Sequence, residues 1–373
     1  MVALNTSMIV NTAMMNNIQI DFVWSTQKGM SSLYPLYKMA LSQGWDSNLY
    51  KVKKQSFLNR KLVKSLSNLI VIAYDQPLYR LRKSGWDSKY IYIEHGLGAI
   101  KYYTYKYNFF HEAELLFYPG PVFQRKMEAI NPQFKNGLLG GYPKLDALIN
   151  NKIDRQKMMA KLKLDPDKPV VLFAPSWGGK YSKQSGIWNA DFLKDIPNLI
   201  IVPHSQDYRY AKKLNAILPS EDEGINPYLQ LADVVVSDVS SVLAEAAILD
   251  KPVVQLKLPS YPGCFPEKDR REKDVYLTDD FIKREEKNTD LNKRPFKIAY
   301  LDEDWVMGEI SEPEKISDTV STALAELDKF KKERKYWGEQ SCYKCDGKSS
   351  LRIAKMIEHF QKTGERKQIG DLD

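Results

Sequence analysis

Short apolar runs, each followed by a segment with helical periodicity, recur along the chain, and this alternation constrains the fold more than any other feature. It predicts an α/β protein with parallel sheets, because neighbouring parallel strands need a crossover connection that is usually a helix. Closing helices are predicted over residues 314–362, with an interruption near Gly347. Strands are predicted at Gln19–Trp24, Leu69–Ala73, Tyr90–Ile93, Leu115–Tyr118, around Leu139, Val170–Ala174, Leu199–Val202, Val234–Ser237 and Val253–Leu256.

A turn-forming stretch in the middle of the chain, Asp165–Pro169, precedes a very apolar strand and restarts the alternation. The length of 373 residues is about twice that of a common single domain. We therefore predict two domains that share a cleft, with the boundary between residues 150 and 165.

The charge balance of the chain is basic. Lysine and arginine number 55 against 47 aspartates and glutamates, which gives a net charge of +8. This balance favours a polyanionic or phosphorylated partner, although a basic surface without a specific partner is also compatible with it. Hydrophobic residues make up 43% of the chain, which excludes a largely disordered protein.

Three cysteines, Cys264, Cys342 and Cys345, are too few for a disulfide framework, and their odd number fits a reducing compartment. Cys342 and Cys345 have no second pair with metal-ligand spacing, so we interpret their spacing as accidental. The amino terminus lacks a signal-peptide pattern, and no run approaches the ~18 apolar residues of a membrane span. We predict a cytoplasmic protein.

The segment of residues 51–64, called here the basic segment, carries six lysines and arginines and no acidic residue. Leu58, Leu62 and Leu66 follow one another at i+4 spacing, which predicts an amphipathic basic helix. Such a helix can hold the protein at an anionic membrane surface, on the inner face of the plasma membrane, or contact a phosphate polymer. The alternative is a surface helix that packs its leucines on the first sheet.

A second biased run, Lys101–Tyr107, interleaves lysine with tyrosine. Such runs can bind sugars or nucleic acid, but a run this short in a connection favours packing between the domains. We predict rim contacts to an acceptor at Lys101 and no nucleic-acid partner.

The strand Val234–Ser237 is followed by Asp238-Val239-Ser240-Ser241 and then by a helical segment. Ser240 and Ser241 fall where this helix begins, where hydroxyls and free backbone N–H groups favour a phosphate. Glu245 lies one turn further on the same face, where its carboxylate can accept hydrogen bonds from ribose hydroxyls. This pattern predicts nucleotide-diphosphate binding, and ordinary helix capping is the alternative.

Two of the four histidines, His95 and His204, directly follow apolar strands. The carboxyl edge of an open α/β sheet is where ligands bind, so one histidine in each domain is predicted to face a common cleft. Gly96 and Gly98 allow the backbone to approach a ligand closely. A structural role for each histidine is the alternative, and His111 and His359 receive no functional role.

Six short motifs occur in a defined order: Glu94-His95-Gly96, Tyr118-Pro119-Gly120-Pro121, Gly141-Tyr142-Pro143-Lys144-Leu145-Asp146, Pro203-His204, Ser237-Asp238-Val239-Ser240-Ser241 and Asp346-Gly347-Lys348-Ser349-Ser350-Leu351-Arg352. In this order and spacing the chain resembles the CDP-glycerol glycerophosphotransferase family, the teichoic acid and capsule polyol-phosphate transferases. The resemblance spans about residues 90–355.

The resemblance implies a GT-B architecture with two Rossmann-like domains whose parallel sheets face a central cleft. It implies an acceptor-side domain over residues 1–155, a nucleotide-donor domain over residues 156–340 and a C-terminal helix within residues 341–373 that returns to the first domain. His95 is the implied catalytic base, and His204 is the second implied catalytic residue. Donor contacts are expected from Ser237, Asp238, Ser240, Ser241, Glu245, Gly141 and Lys144, and acceptor-side contacts from Gly96, Lys101 and Arg352.

The implied reaction transfers a polyol phosphate, with glycerol phosphate as the first expectation, from a CDP-activated donor and releases CMP. The accepting group is a hydroxyl of a cell-wall or capsular glycan or of a lipid-linked acceptor. No cofactor is expected. No metal is predicted either, because the acidic pairs Asp165/Asp167 and Asp302/Asp304 are typical of turns and a helix dipole can stabilise phosphate charge.

Three positions depart from the family pattern: Glu94 stands where tryptophan is common, Leu97 replaces threonine and Ser205 replaces proline. The sequence of Glu245 and the two alanines after it resembles GT-B enzymes that use nucleotide sugars more than it resembles this family. Two alternatives therefore stay open. One is a GT-B glycosyltransferase or UDP-sugar 2-epimerase that acts on a nucleotide sugar, and the other is a catalytically inert protein that binds an anionic glycan.

Overall fold

The computed structural model describes residues 18–98, 105, 107–177, 186–214, 216–220, 223–238, 240–257 and 306–370. Within these ranges the strands form two sheets, one of six strands and one of five, and neighbouring strands in both are parallel. The predicted α/β class is confirmed.

The first sheet has the strand order β2-β1-β3-β4-β5-β6. Its strands are β1 Asp21–Trp24, β2 Leu49–Lys51, β3 Leu69–Ile72, β4 Lys89–Ile93, β5 Leu115–Tyr118 and β6 Gly137–Leu139. The sequence predicted five of these six and missed β2. This strand has three residues, lies at the sheet edge and is partly exposed, so it lacks the continuous apolar run of a central parallel strand.

The second sheet has the order β11-β10-β9-β7-β8. Its strands are β7 Val171–Phe173, β8 Leu199–Ile201, β9 Val234–Ser237, β10 Val253–Leu256 and β11 Glu309–Ser311. The four apolar strands, β7 to β10, agree with the predicted positions. The edge strand β11 was missed for the same reason as β2, because it is short and carries polar residues.

Helices connect the strands and close the chain. The α-helices of the described ranges are α1 Gln27–Ser42, α2 Arg60–Ser65, α3 Asp75–Arg82, α4 Asn108–His111, α5 Pro121–Ile130, α6 Pro143–Asn150, α7 Arg155–Leu162, α8 Tyr208–Ala211, α9 Asn226–Leu231, α10 Val242–Ile248, α11 Ile316–Ala325, α12 Lys331–Ser341 and α13 Ser349–Thr363. Short 3-10 helices span Ser56–Asn59, Gly186–Leu193, Ser205–Asp207 and Pro313–Lys315. The break between α12 and α13 contains Gly347, as predicted.

The final helices connect the two halves of the molecule. Helix α12 packs against α10 beside the second sheet and against α5 beside the first. Helix α13 then packs on α1 and α6, where Ile353 and Ile357 join the apolar cluster that contains Phe22 of the first sheet. The chain therefore crosses back to the first sheet, while the exact domain limits at residues 155 and 340 stay predictions.

The two sheets share apolar packing. One cluster of buried side chains contains Ile70 and Leu116 from the first sheet together with Leu172 and Val235 from the second. The loops that follow the strands of the two sheets are held near one another by this shared core.

The basic segment does not form the single amphipathic helix that was predicted. Its helical part is split into the 3-10 helix Ser56–Asn59 and the short helix α2. The reason is Asn59, whose buried amide accepts from the Lys53 N–H at 2.8 Å and donates to the Lys53 carbonyl at 3.1 Å, which closes a tight turn. Leu62 and Leu66 pack on the core, whereas Phe57 and Leu58 are 64% and 52% exposed.

No helix in the described ranges is both long enough and apolar enough to cross a bilayer.

Candidate active site between the two sheets

In the first sheet the loops after β1, β3 and β4 form one edge. Strand β2 lies on one side of β1, and the later strands, from β3 onwards, lie on the other side. The strand order therefore reverses between β1 and β3. Ligands of open α/β sheets bind at this kind of switch point, outside the carboxyl ends of the strands. Here the edge carries Lys28 at the start of α1, Tyr74 after β3 and His95 after β4.

His95 is held on two sides by neighbouring side chains. Its ring packs on Tyr74, with ring centroids 4.4 Å apart, and its Nδ1 lies 3.3 Å from the Tyr92 hydroxyl. A Glu94 carboxylate oxygen lies 3.9 Å from the same nitrogen. The side chain is 27% exposed. His95 is therefore oriented by the protein and still accessible, as a proton-transfer residue requires.

Glu94 is a buried carboxyl group directly before His95. Burial raises the pKa of Glu94 to about 7, against the opposing effects of the neighbouring Tyr105, His95 N–H and Tyr92 groups and of the positive charge of Lys126. A carboxyl group that titrates near neutrality beside a half-buried histidine is typical of functional sites.

Gly96 is the point at which the two halves of the site meet. A Cβ atom at this position would lie 3.9 Å from the Ser241 hydroxyl and 3.9 Å from the Lys28 ammonium nitrogen. The fold thus brings the predicted His95-Gly96 motif of the first sheet to the predicted serine motif of the second, and it adds a lysine that the sequence did not single out. An ammonium group and a hydroxyl group beside a glycine, whose backbone no side chain covers, can bind a phosphate group.

In the second sheet the corresponding switch point lies between β7 and β9. Asp238, after β9, accepts hydrogen bonds from the Ser176 N–H at 2.9 Å and the Ser176 hydroxyl at 2.8 Å. Ser237 donates to the Ala174 carbonyl at 2.6 Å. Both predicted donor-binding side chains are fully buried. In this structure Ser237 and Asp238 fix the loops after β7 and β9, and their donor contacts stay predictions.

The two remaining serines of the motif are half-buried. The Ser240 hydroxyl accepts a long hydrogen bond of 3.4 Å from the Val242 N–H. Ser241 has helical backbone angles, and its side chain does not cap α10. Ser240 therefore caps the helix only weakly, and Ser241 does not cap it. The Ser241 hydroxyl faces Gly96 instead.

Lys144 and Glu245 form an ion pair between α6 and α10, with 3.3 Å between the lysine Nζ and the glutamate Oε1. Burial lowers the pKa of Lys144, but Glu245 and Tyr142 more than offset this effect, so the pKa is raised and the lysine stays charged. Glu245 is 1% exposed, and its second oxygen, Oε2, has no hydrogen bond. The ribose contact of Glu245 stays a prediction.

His204 lies at the carboxyl end of β8, on the same sheet edge as Ser176 and Asp238. It begins the 3-10 helix Ser205–Asp207, and its Nδ1 accepts from the Gln206 N–H at 3.3 Å. This hydrogen bond places the ring proton of neutral His204 on Nε2. The position agrees with the predicted sheet edge, and its catalytic role stays a prediction.

Two other predicted contacts belong to the packing of the C-terminal helix. Arg352 is fully buried; its guanidinium donates to the Gly140 carbonyl and pairs with Asp346. These contacts explain Arg352 by packing, and its acceptor contact stays a prediction. Gly141 has a φ of +84°, and a Cβ there would lie 2.5 Å from the Ser349 hydroxyl. Packing explains this glycine, and its donor contact stays a prediction.

Lys101 lies outside the described residues, and so does most of the Lys101–Tyr107 run. In the described part of the chain, no three histidine, cysteine, aspartate or glutamate side chains are grouped in a way that could hold a metal ion.

The sequence missed Lys28, Tyr74 and Ser176 as site residues. Each follows a strand that the sequence did predict: Lys28 follows β1, Tyr74 follows β3 and Ser176 follows β7. The rule that ligands bind at the carboxyl edge of parallel strands could have selected these loops. It could not have selected the side chains, because the loops are short and polar and carry no motif.

The two parallel α/β sheets, whose carboxyl edges meet at a shared site, form a fold of the GT-B type, as predicted. The chain belongs to the CDP-glycerol:poly(glycerophosphate) glycerophosphotransferase family, whose pattern matches residues 2–258. The resemblance in the motifs is thereby confirmed, and the chain is a member of a transferase family.

Similar proteins agree with this family. A teichoic acid poly(glycerol phosphate) polymerase of Staphylococcus epidermidis is 26% identical over 129 residues, which cover 30% of this chain and 18% of the polymerase. A variant of the wall teichoic acid polymerase TagF soaked with CDPG has a solved structure with a TM-score of 0.62 and 18% identity, covering 94% of this chain and 90% of that one.

A solved structure of a putative UDP-N-acetylglucosamine 2-epimerase from Listeria monocytogenes is also similar in fold. Its TM-score is 0.59 at 12% identity, and the match covers 94% of this chain and 98% of that one. The fold is therefore shared with nucleotide-sugar enzymes, while the family match concerns the glycerophosphotransferases.

Proposed function

We propose that the protein transfers glycerol phosphate from CDP-glycerol to a hydroxyl of a teichoic acid or capsular acceptor and releases CMP. The observation that carries this proposal is the meeting of Gly96, Lys28 and Ser241 beside the oriented His95. This arrangement supports a site that combines phosphate-binding groups with a base. The family match and the CDPG-soaked TagF structure support the choice of donor.

In the proposed reaction the acceptor oxygen attacks the β-phosphorus of CDP-glycerol and forms a new P–O bond. The bond between the β-phosphorus and the bridging oxygen breaks, and CMP leaves with that oxygen and the electron pair. His95 takes the proton of the attacking hydroxyl through Nε2. Lys28, Ser241 and His204 stabilise the charge that develops on the phosphates.

The direct test compares donors. Purified protein is incubated with CDP-glycerol, CDP-ribitol or a UDP-sugar in the presence of membranes that carry polyol-phosphate acceptors, and the released nucleotide is identified by chromatography. We expect CMP from CDP-glycerol. Release of UDP would instead support the glycosyltransferase alternative, and epimerisation of the UDP-sugar without transfer would support an epimerase. Binding of the acceptor without turnover of any donor would indicate the inert glycan-binding protein.

A measurement of donor affinity tests whether Ser240 and Ser241 bind phosphate. Replacing Ser240 and Ser241 together by alanine removes two hydroxyls that contact phosphate in the proposed complex, each worth roughly 1–3 kcal/mol when the bond is charge-assisted. CDP-glycerol affinity measured by calorimetry should fall at least about tenfold.

The matched control replaces Ser42 and Ser321, which are exposed and bond only to residues of their own helices. This control should bind the donor like the unaltered protein. Unchanged affinity in the Ser240/Ser241 variant would remove the phosphate-binding role of the pair.

We further propose that the protein acts in the cytoplasm as a peripheral protein on an anionic membrane, to which the basic segment binds. Its lysines and arginines are all exposed, and Phe57 and Leu58 project beside them with 64% and 52% exposure. Tyr79 on the adjacent helix α3 is 60% exposed. Basic residues attract an anionic leaflet with about 1 kcal/mol each, and apolar side chains add to this by insertion.

Vesicle sedimentation tests this surface. Binding to anionic vesicles should be strong at low salt and should fall as salt screens the charges. Replacing Lys53, Lys54, Arg60 and Lys61 by glutamine should reduce it, and neutral vesicles should bind weakly.

The charge-matched control replaces four exposed lysines elsewhere, Lys157, Lys168, Lys212 and Lys213, by glutamine. If both glutamine variants sediment equally with anionic vesicles, the basic segment is only a packed surface element.

A further inference from the structure

The Tyr92 hydroxyl lies between two titratable side chains. It is 3.3 Å from His95 Nδ1 and 3.4 Å from Glu94 Oε2. The tyrosine is fully buried, and its ring is held edge-on by Phe109 and Phe110, with centroid distances of 5.8 and 5.0 Å. Its hydroxyl therefore has a fixed position from which it contacts both partners.

A phenol has one proton, so it can donate one hydrogen bond and must accept the other. Burial, together with Glu94 and Asp75, raises the pKa of Tyr92 well above its ordinary value, so the hydroxyl keeps this proton. When Glu94 is ionised, the hydroxyl donates to the carboxylate and accepts from Nδ1–H of His95. Nε2 then carries the lone pair that a base needs.

When Glu94 is protonated, both hydrogen bonds of the Tyr92 hydroxyl reverse their direction. The carboxyl group donates to the tyrosine oxygen, and the hydroxyl donates to Nδ1 of His95. The ring proton then sits on Nε2, and that nitrogen cannot accept a proton from an attacking hydroxyl. The ionisation of Glu94 thus selects the tautomer of His95.

We propose that Glu94 and Tyr92 are positioning residues that hold His95 in the Nδ1–H tautomer and stabilise its imidazolium during transfer. This inference rests on the proposed function, in which His95 is the base. The carboxylate lies 3.9 Å from Nδ1, close enough to favour a positive charge on the ring. An ionised group that orients a catalytic histidine serves the same purpose in hydrolase triads, although there it contacts the ring directly.

The groups that face Glu94 come from several elements. Tyr92 and His95 lie on β4 and the loop after it, Tyr105 on the following connection and Lys126 on α5, and the Tyr142 hydroxyl also interacts with the carboxylate. Burial raises the pKa of Glu94 to about 7 despite these neighbours. As the pH rises through this value, Glu94 ionises and His95 becomes competent as a base, so kcat should rise across the same range.

The test combines kinetics with NMR of the histidine rings. Glu94→Gln imitates the protonated state, because the amide donates to Tyr92. We expect kcat to fall by about 10²-fold and the KM for CDP-glycerol to change little. Glu94→Asp should restore part of the activity. The ¹⁵N signals of His95 at pH 8 should change from the Nδ1–H to the Nε2–H tautomer in Glu94→Gln.

Glu94→Gln also removes a negative charge that faces buried Lys126, which can lower stability. Tyr92→Phe is therefore the second variant, since it keeps both charges and breaks the chain of hydrogen bonds. It should lower kcat similarly, and His95 should become a mixture of the Nδ1–H and Nε2–H tautomers. The matched control is Tyr90→Phe on the same strand, whose hydroxyl bonds to the Phe109 carbonyl instead; it should not alter His95.

An Nδ1–H tautomer that persists in Glu94→Gln or Tyr92→Phe would overturn this inference, whatever the activity. If the unaltered protein released no CMP, the proposed function would fail, but the NMR result would still decide whether Glu94 and Tyr92 control the His95 ring.

Discussion

Replacement of His95 by alanine is expected to lower kcat by about 10²–10⁴-fold, the usual contribution of a positioned acid or base. Affinity for CDP-glycerol should change far less, because the proton is transferred in the transition state and not in the bound ground state. Turnover is measured as CMP release at saturating donor, and affinity by calorimetry.

His359→Ala is the matched control for this prediction. That histidine lies on α13, where its ring faces Glu365 at 3.5 Å, so its loss should leave turnover unchanged. An equal decrease in turnover and donor affinity in His95→Ala would instead assign His95 to binding.

Replacement of Arg352 by alanine is expected to destabilise the protein by about 1.5–3 kcal/mol, the usual contribution of a hydrogen bond to a charged group, because its partner Asp346 is 32% exposed and is left partly solvated. Arg352 is fully buried, contacts Gly140 and Asp346 and packs over the Tyr343 ring, with 5.3 Å between the guanidinium carbon and the ring centroid. Its loss should loosen α13 from the first sheet. The measurement is the denaturant midpoint of the unfolding transition that involves the first sheet.

Arg366→Ala provides the control. Arg366 is one-third exposed and pairs with Glu114 at 3.2 Å, an arrangement worth about 0–1 kcal/mol. If Arg352→Ala kept full stability and raised only the KM for the acceptor, the predicted acceptor role of Arg352 would be supported over the packing role.

Most strands could be located from the sequence, because a parallel strand covered on both faces is a continuous apolar run. Val234–Val236 and Leu69–Ile72 are examples, and all are fully or almost fully buried. The edge strands β2 and β11 could not be located. Each has only three residues, some of them polar and partly exposed, and so lacks the continuous apolar run by which the other strands were located.

The candidate site was predicted only in part. His95, Gly96 and Ser241 were selected from motifs and from their positions after strands, and the fold brings Gly96 and Ser241 together. Ser237, Asp238 and Arg352 were selected by the same reasoning and are buried in internal hydrogen bonds. A motif marks which residues a fold requires, but it does not distinguish a residue that touches the substrate from one that holds the loop in place.

The sequence by itself determined the α/β class, the positions of the apolar strands and the order of the motifs, because burial demands apolar residues wherever a strand is covered on both faces. Only the tertiary structure decided that Lys28 and Ser241 flank Gly96, that Lys144 pairs with Glu245, and that Tyr92 lies between Glu94 and His95. These contacts depend on which loops the two sheets bring to a common edge and on the packing between them. That arrangement is set by all the elements at once and is not encoded in the spacing of any one motif.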